Sequence, residues 1–197
     1  SYPQWLGQCS SCKQWNTLVE EVRDRVEEKR GMPSSLRTRD TRPIALSEIT
    51  ADSGPRLSTG DRELDRVLGG GVVPGSLVLM GGDPGIGKST LMLQTALHAP
   101  GLRTLYVSGE ESEQQVKMRA DRLAGAGRAG SDPHVLTETN TQNIFRQVEE
   151  LDPGLVIIDS VQTLHSAVLD ASPGSVGQVR ECTSEIMRYA KSRNVPF

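Results

Sequence analysis

The stretch Leu77–Thr90, LVLMGGDPGIGKST, constrains the fold more than any other part of the chain. Within it, Gly82-Asp83-Pro84-Gly85-Ile86-Gly87-Lys88-Ser89 fits the pattern G-x-x-x-x-G-K-[ST] at every fixed position. The apolar run Leu77-Val78-Leu79-Met80 precedes it, as a buried parallel strand should. The residues after Lys88, through His98, read as a helix. Glycines let the backbone curl so that successive N–H groups point into one hollow and meet phosphate oxygens. The N-terminus of the following helix adds positive potential there. Lys88 can reach β- and γ-phosphates with a mobile point charge, and Ser89 offers a hydroxyl to Mg2+, which prefers oxygen ligands. Gly82, Asp83, Pro84, Gly85, Ile86, Gly87, Lys88, Ser89 and Thr90 are therefore the expected nucleotide-binding set.

Other stretches supply the carboxylates such a cradle needs. Leu102–Val107 reads as a strand that delivers Ser108-Gly109-Glu110-Glu111 at its C-terminal end. That is the edge where open α/β sheets place their ligands. Hydrolysis needs an oriented water in line with the β–γ bond, and a carboxylate on a neighbouring strand can take its proton. Glu110 and Glu111 are the candidates, Glu110 the preferred one; their plainer reading is a pair of acids at a helix start. Leu155-Val156-Ile157-Ile158-Asp159 is a buried strand ending in a carboxylate, placed for Asp159 to hold Mg2+ directly or through water.

The remaining elements alternate. Leu64, Val67 and Leu68 are expected on one face of a short helix that Gly69-Gly70-Gly71 ends. Ser112 and Gln115 have capping-box spacing, and the helix after them carries Val116, Ala120, Leu123 and Ala124 on one face, with Lys117, Arg119, Asp121 and Arg122 decorating the rest. Gly125–Gly130 is a small-residue loop, and His134-Val135-Leu136 a short strand. Ile144, Phe145, Val148 and Leu151 mark an amphipathic helix stopped by Asp152-Pro153-Gly154. Thr163–Val176 reads as a mobile loop, and Val179, Cys182, Ile186 and Ala190 restart a helix. The final Arg-Asn-Val-Pro-Phe looks like the start of another strand. Strands and helices in alternation argue a parallel sheet with helices on both faces.

Toward the N-terminus the signals weaken. Cys9 and Cys12 form a CxxC flanked by Trp5 and Trp15. A structural zinc site wants four ligands, so the pair alone reads equally as half of a metal site, a redox pair or chance. Glu20–Arg30 is a run of mixed charge, read as a solvated helix or linker, and Gly31–Pro43 as a flexible connection. The net charge of −3 predicts no general attraction to nucleic acid or anionic membranes. No apolar run approaches the roughly 20 residues that span a bilayer. Three cysteines, an odd number, make no disulfide framework. Together these point to a cytoplasmic protein without membrane partners.

The motifs taken together carry a resemblance. Gln8-Cys9-x-x-Cys12-x-x-Trp15-Asn16-Thr17 comes first, then Thr59-Gly60 with Glu63-Leu64-Asp65 before Leu68-Gly69-Gly70-Gly71. The phosphate loop follows, then Tyr106-Val107-Ser108-Gly109-Glu110-Glu111-Ser112, Asp159-Ser160-Val161-Gln162-Thr163 and Ser172-Pro173-Gly174-Ser175-Val176. Over nearly its whole length the chain resembles the bacterial RadA (Sms) family of DNA repair and recombination ATPases, part of the RecA-like superfamily. The resemblance implies an α/β fold, a RecA-like P-loop NTPase core with a parallel β-sheet flanked by helices. It divides the chain into a partial zinc-finger segment (1–30) with only Cys9 and Cys12 of the zinc ligands, a linker (31–43) and a core (44–197) that stops short at its C-terminus. It thus implies a piece of a longer protein.

As activity it implies hydrolysis of ATP with Mg2+, binding of single-stranded DNA and branch migration of recombination intermediates by a helicase-like motor. As partners it implies a homo-oligomeric ring, a hexamer, and a RecA-type recombinase; in the intact protein it implies Zn2+. By the same analogy Gln178 senses the γ-phosphate, and the Thr163–Val176 loop, which has no Lys or Arg, faces a DNA channel. The competing reading is a RecA-fold nucleotide switch or kinase that controls protein assembly without DNA.

Overall fold

The structure, a computed structural model, describes residues 43–48, 54–124 and 131–197. The partial zinc-finger segment with Cys9 and Cys12, the linker but for its last residue, and the Gly125–Gly130 loop lie outside the described residues.

Three parallel strands form the sheet: β1 (Thr104–Ser108), β2 (His134–Thr137) and β3 (Leu155–Asp159), in the order β2-β1-β3. Among the described residues there are five α-helices: α1 (Arg62–Val67), α2 (Lys88–His98), α3 (Glu113–Ala124), α4 (Thr141–Leu151) and α5 (Val176–Arg193). Alternation along each strand splits the core in two. Leu105, Val107 and Val156 pack with Ile144, Phe145 and Val148 of α4 and with Cys182, Ile186, Tyr189 and Ala190 of α5. Tyr106, Leu155 and Ile157 point the other way, to Leu93, Ala96 and Leu97 of α2 and Val116 of α3. With helices on both faces and a strand on each side, every residue of β1 is buried. Each fully buried aliphatic side chain contributes about 1.5–3 kcal/mol, so the sheet centre is where this fold is most strongly held. Phe145 stacks on Tyr189 at 4.3 Å between ring centroids, locking α4 to α5.

Local chemistry sets the element ends. Asn140 caps α4 by accepting from the N–H groups of Gln142 and Asn143, and Asp152, in the left-handed region, ends it before Pro153. The capping box forms: Ser112 N–H donates to Gln115 Oε1 at 2.8 Å, and Gln115 N–H returns to Ser112 Oγ at 3.4 Å. The segment before the phosphate loop is knotted around Asp65. Its carboxylate accepts from Thr59 N–H, Thr59 Oγ1 and Ser58 Oγ at 2.7–2.8 Å. These bonds outweigh partial burial and hold the Asp65 carboxyl below the usual carboxylate range.

Three details differ from the sequence reading. Leu77–Met80 is not a ladder strand in the structure, and Leu79 is 78% exposed. Among the described residues its backbone pairing is with Phe197: Phe197 N–H donates to Ser76 O, and Val78 N–H to Phe197 O, at 2.9 and 2.8 Å. Val156 N–H in turn donates to Pro196 O at 3.0 Å, so 196–197 bridge β3 and the approach to the phosphate loop, as the strand-like ending suggests. On α1, Val67 faces outward at 72% exposure, because a six-residue helix held by Asp65 at its first turn is oriented by that knot rather than by an apolar stripe. On α3, Arg119 is not a surface residue but turns under the helix toward β1.

Candidate nucleotide site

The parallel sheet brings three loops to one edge. β1 and β3 are in register with Ser108 opposite Asp159, so the Gly109–Ser112 turn and the Asp159–Thr163 turn leave the sheet side by side. Gly109 N–H donates to Asp159 O at 3.3 Å. The approach is close enough that a Cβ on Gly109 would lie 2.1 Å from Thr163 Oγ1, which is why a glycine stands there. The phosphate loop is the third element. Gly87, at φ 102°, makes the left-handed turn into α2 and leaves the helix's first N–H groups facing the loop.

Lys88 folds back over this loop. Its ammonium donates to the carbonyls of Gly82 and Asp83, both at 2.8 Å. Gly82, Asp83, Pro84, Gly85, Ile86 and Gly87 are exposed, while Lys88, Ser89 and Thr90 are half-buried at the helix start. Ser89 Oγ donates to Asp159 Oδ1 at 2.9 Å, joining the loop to the tip of β3. A hydroxyl and a carboxylate one hydrogen bond apart, beside N–H groups that suit phosphate, make a donor set matched to Mg2+, which takes one or two protein oxygens and keeps waters. The expected residues Lys88, Ser89 and Asp159 are thus brought together.

The two acids at the end of β1 part company. Glu110 is exposed and accepts one hydrogen bond, from Ser160 Oγ at 3.1 Å. Glu111 is half-buried and paired with Arg119 at 2.8 Å. Its backbone N–H donates to Ser108 Oγ at 3.0 Å, fixing the turn. Glu110 keeps an oxygen for water, whereas Glu111 is committed to a cation.

Gln178 has a different occupation from the one the resemblance implies. Its side chain is 2% exposed, its Oε1 accepts from Ser166 N–H at 2.9 Å, and its Nε2 faces the carbonyls of Ser166, Leu169 and Ala171 at 2.8–3.2 Å. In this conformation the amide has no hydrogen-bonding group to spare for a phosphate. It anchors the loop between β3 and α5, which is less free than its composition suggests. Leu164 and Ser166 are buried, and Ser166 Oγ donates to Glu185 Oε1 at 2.7 Å. Glu185, itself 3% exposed, also accepts from Thr141 Oγ1 at the start of α4.

Two residues of the site have no role readable from residue type or spacing, although Tyr106 opens the Tyr106–Ser112 motif. Tyr106 is fully buried, and its hydroxyl donates to Asp159 Oδ2 at 2.6 Å. Arg119 Nη2 donates to that hydroxyl at 2.8 Å and lies 3.7 Å from Asp159 Oδ2. Burial first, then the hydrogen bond to Asp159 and its charge, push the phenol well above the ordinary tyrosine range, so it stays an O–H donor. The helical spacing Val116 to Arg119 is three residues, which places Arg119 beside a core position and is the one sequence hint of its inward turn. Among the described residues no group of three or more His, Cys, Asp or Glu side chains is placed to hold a metal ion. No described helix is long and apolar enough to cross a membrane.

A parallel sheet with its glycine loop, lysine and acidic strand tip at one edge defines a P-loop nucleotide-binding core of the RecA-like kind. Comparison with known proteins agrees: residues 45–191 match the family model described as "AAA domain", and the chain belongs to that family. Residues 1–20 match a model described as "Rubredoxin metal binding domain". The chain is similar to "DNA repair protein RadA" of Bacillus subtilis (strain 168), 45% identical over 198 residues that cover 99% of this chain and 43% of that protein. It is likewise similar to the proteins of the same name from Escherichia coli (strain K12) and Salmonella typhimurium (strain LT2), each 48% identical, covering 98% of this chain and 43% of each relative. It therefore spans less than half the length of these relatives.

Proposed function

We propose that this chain is the ATP-hydrolysing core of a DNA repair and recombination protein. The observation that carries the reading is the Ser89–Asp159 hydrogen bond at the start of the helix whose first residue, Lys88, reaches back over the phosphate loop. In this reading Gly82–Thr90 hold the phosphates of ATP. Lys88 exchanges the Gly82 and Asp83 carbonyls for β- and γ-phosphate oxygens, and Ser89 and Asp159 hold Mg2+, which supplies charge neutralisation when bound. Glu110, steadied by Ser160 Oγ, orients the attacking water and accepts its proton, while Glu111 is structural through Arg119.

The similarity to the RadA relatives supports the further assignments. They are binding of single-stranded DNA, branch migration of recombination intermediates, assembly as a hexameric ring, and cooperation with a RecA-type recombinase. The domain division follows the same support. Segment 1–30 is part of a zinc-binding finger, with Cys9 and Cys12 as Zn2+ ligands, in line with the metal-binding match over residues 1–20. Segment 31–43 is a linker, and 44–197 the core. The loop between β3 and α5 faces DNA; having no Lys or Arg, it positions the strand while phosphate contacts come from elsewhere.

The test is Glu110→Gln. It should leave ATP binding unchanged and lower turnover by about 10²–10⁴-fold. Turnover within a few-fold of the parent removes Glu110 from the role. Single-stranded DNA should raise ATP turnover. If it neither binds nor does so, while a protein acceptor becomes phosphorylated, the switch or kinase reading replaces this one.

A further inference from the structure

We propose that Tyr106 is a positioning residue that holds the metal-site carboxylate by one oxygen and keeps the Arg119 guanidinium at 3.7 Å from it, short of direct hydrogen-bond contact. The inference rests on the nucleotide-site reading above. The chain of contacts runs Glu111, Arg119, Tyr106, Asp159. Its polarity is fixed by chemistry. A guanidinium only donates, so the Tyr106 oxygen accepts from Arg119 and spends its single proton on Asp159 Oδ2. Asp159 Oδ2 is thereby occupied from beneath, by a side chain that cannot move because its ring is fully buried between the sheet and α2 and α3. Oδ1 is left toward Ser89, its hydrogen-bond partner among the described residues. The carboxylate is pinned in rotation, and only Oδ1 can exchange the Ser89 hydroxyl for a cation or its water.

The phenol is also a spacer. Arg119 Nη2 lies 3.7 Å from Asp159 Oδ2, farther than the 2.8 Å it keeps to Glu111. Arg119 is 14% exposed, so its charge is poorly screened. Were the hydroxyl absent, the guanidinium would close on Oδ2 as a direct ion pair. A carboxylate neutralised in that way is a weaker partner for a divalent cation. Tyr106 thus transmits orientation while Glu111 retains the arginine.

The test is Tyr106→Phe, which keeps the ring in the core and removes one oxygen. Two quantities are read: ATP binding in EDTA, and the Mg2+ concentration giving half-maximal turnover. The expected result is unchanged binding in EDTA, a Mg2+ midpoint raised about tenfold, and turnover near that of the parent at saturating Mg2+. Tyr106→Phe/Arg119→Gln, which removes the competing cation, should bring the midpoint back toward the parent value. An unshifted midpoint in Tyr106→Phe overturns the positioning role, and so does lost binding in EDTA, which would make the phenol a support of the loop or fold. No recovery in the double variant overturns the spacer role. Ser89→Ala and Asp159→Asn run alongside: if neither alters the Mg2+ requirement, the nucleotide-site reading fails. If both do and Tyr106→Phe does not, only this inference fails.

Discussion

Replacing Gly109 with alanine puts a methyl carbon 2.1 Å from Thr163 Oγ1, 2.6 Å from Thr163 Cβ and 3.1 Å from Thr139 Cγ2. Comfortable carbon contacts lie near 3.5–4.0 Å, so the tips of β1 and β3 must separate or Thr163 must turn. Turning Thr163 gives up its 2.8 Å hydrogen bond to Ser160 O, worth about 1 kcal/mol. Separating the tips stretches the 3.3 Å bond from Gly109 N–H to Asp159 O and moves Glu110 away from Ser160. Overpacking of this kind costs about 1–3 kcal/mol. At about 2–4 °C per kcal/mol for a domain of this size, thermal unfolding should fall by about 2–12 °C. Thr163→Gly removes the obstacle, so Gly109→Ala should cost at least 1 kcal/mol less, roughly, in that background than in the parent. Unfolding of the two single variants and the double variant by heat and by urea measures the coupling. Additivity within about 0.5 kcal/mol, or a Gly109→Ala variant as stable as the parent, would refute the close approach.

Gln178→Ala removes the bonds that tie Ser166, Leu169 and Ala171 to α5, and hydrogen exchange across 166–171 should speed up by more than tenfold while the β1 amides stay protected. Equal exchange in both proteins would mean that the loop is held by something else. Asp65 and Glu138 both sit below the ordinary carboxylate range. For Glu138 the N–H of Asn140 is the largest cause, with Asn143 Nδ2 and the N–H of Thr139 helping against partial burial. A depressed folded value means the unfolded chain binds the proton more tightly. The stability these groups add is therefore complete above the ordinary carboxylate range and lost as pH falls below it. Asp65→Asn should flatten the acid side of the unfolding profile; an unchanged slope below about pH 4 would contradict this.

The fold was legible where sequence pattern and packing coincide. The alternating strands, the Ser112 capping box and the Asp152-Pro153 stop all needed only local periodicity or punctuation. For Leu77–Met80 an apolar run says nothing about which partner pairs with it; among the described residues the backbone bond from Val78 runs to Phe197. Ser89 and Asp159 stand out by residue type and spacing, and the structure puts them one hydrogen bond apart; their metal role is the proposal. Tyr106 and Arg119 do not stand out. A tyrosine inside a strand and an arginine on a helix are ordinary, and only the tertiary placement of β1 under α3 joins them to Asp159. Gln178 could not be placed from the sequence either: in the structure its amide is bonded to the chain's own loop, which residue type alone does not reveal. The sequence already favours Glu110 over Glu111, and the pairing of Glu111 with Arg119, which no local pattern reveals, supports that preference.

The central claim is that Lys88, Ser89 and Asp159 form one site for a magnesium-bound triphosphate. The most direct measurement is an equilibrium titration with fluorescent ATP, with and without Mg2+, of the parent protein, Lys88→Ala and Asp159→Asn. The account predicts that Lys88→Ala weakens binding under both conditions by at least about tenfold, from the loss of charge-assisted contacts. It predicts that Asp159→Asn weakens it only when Mg2+ is present. Affinities in the two variants equal to that of the parent, with and without the metal, would contradict it.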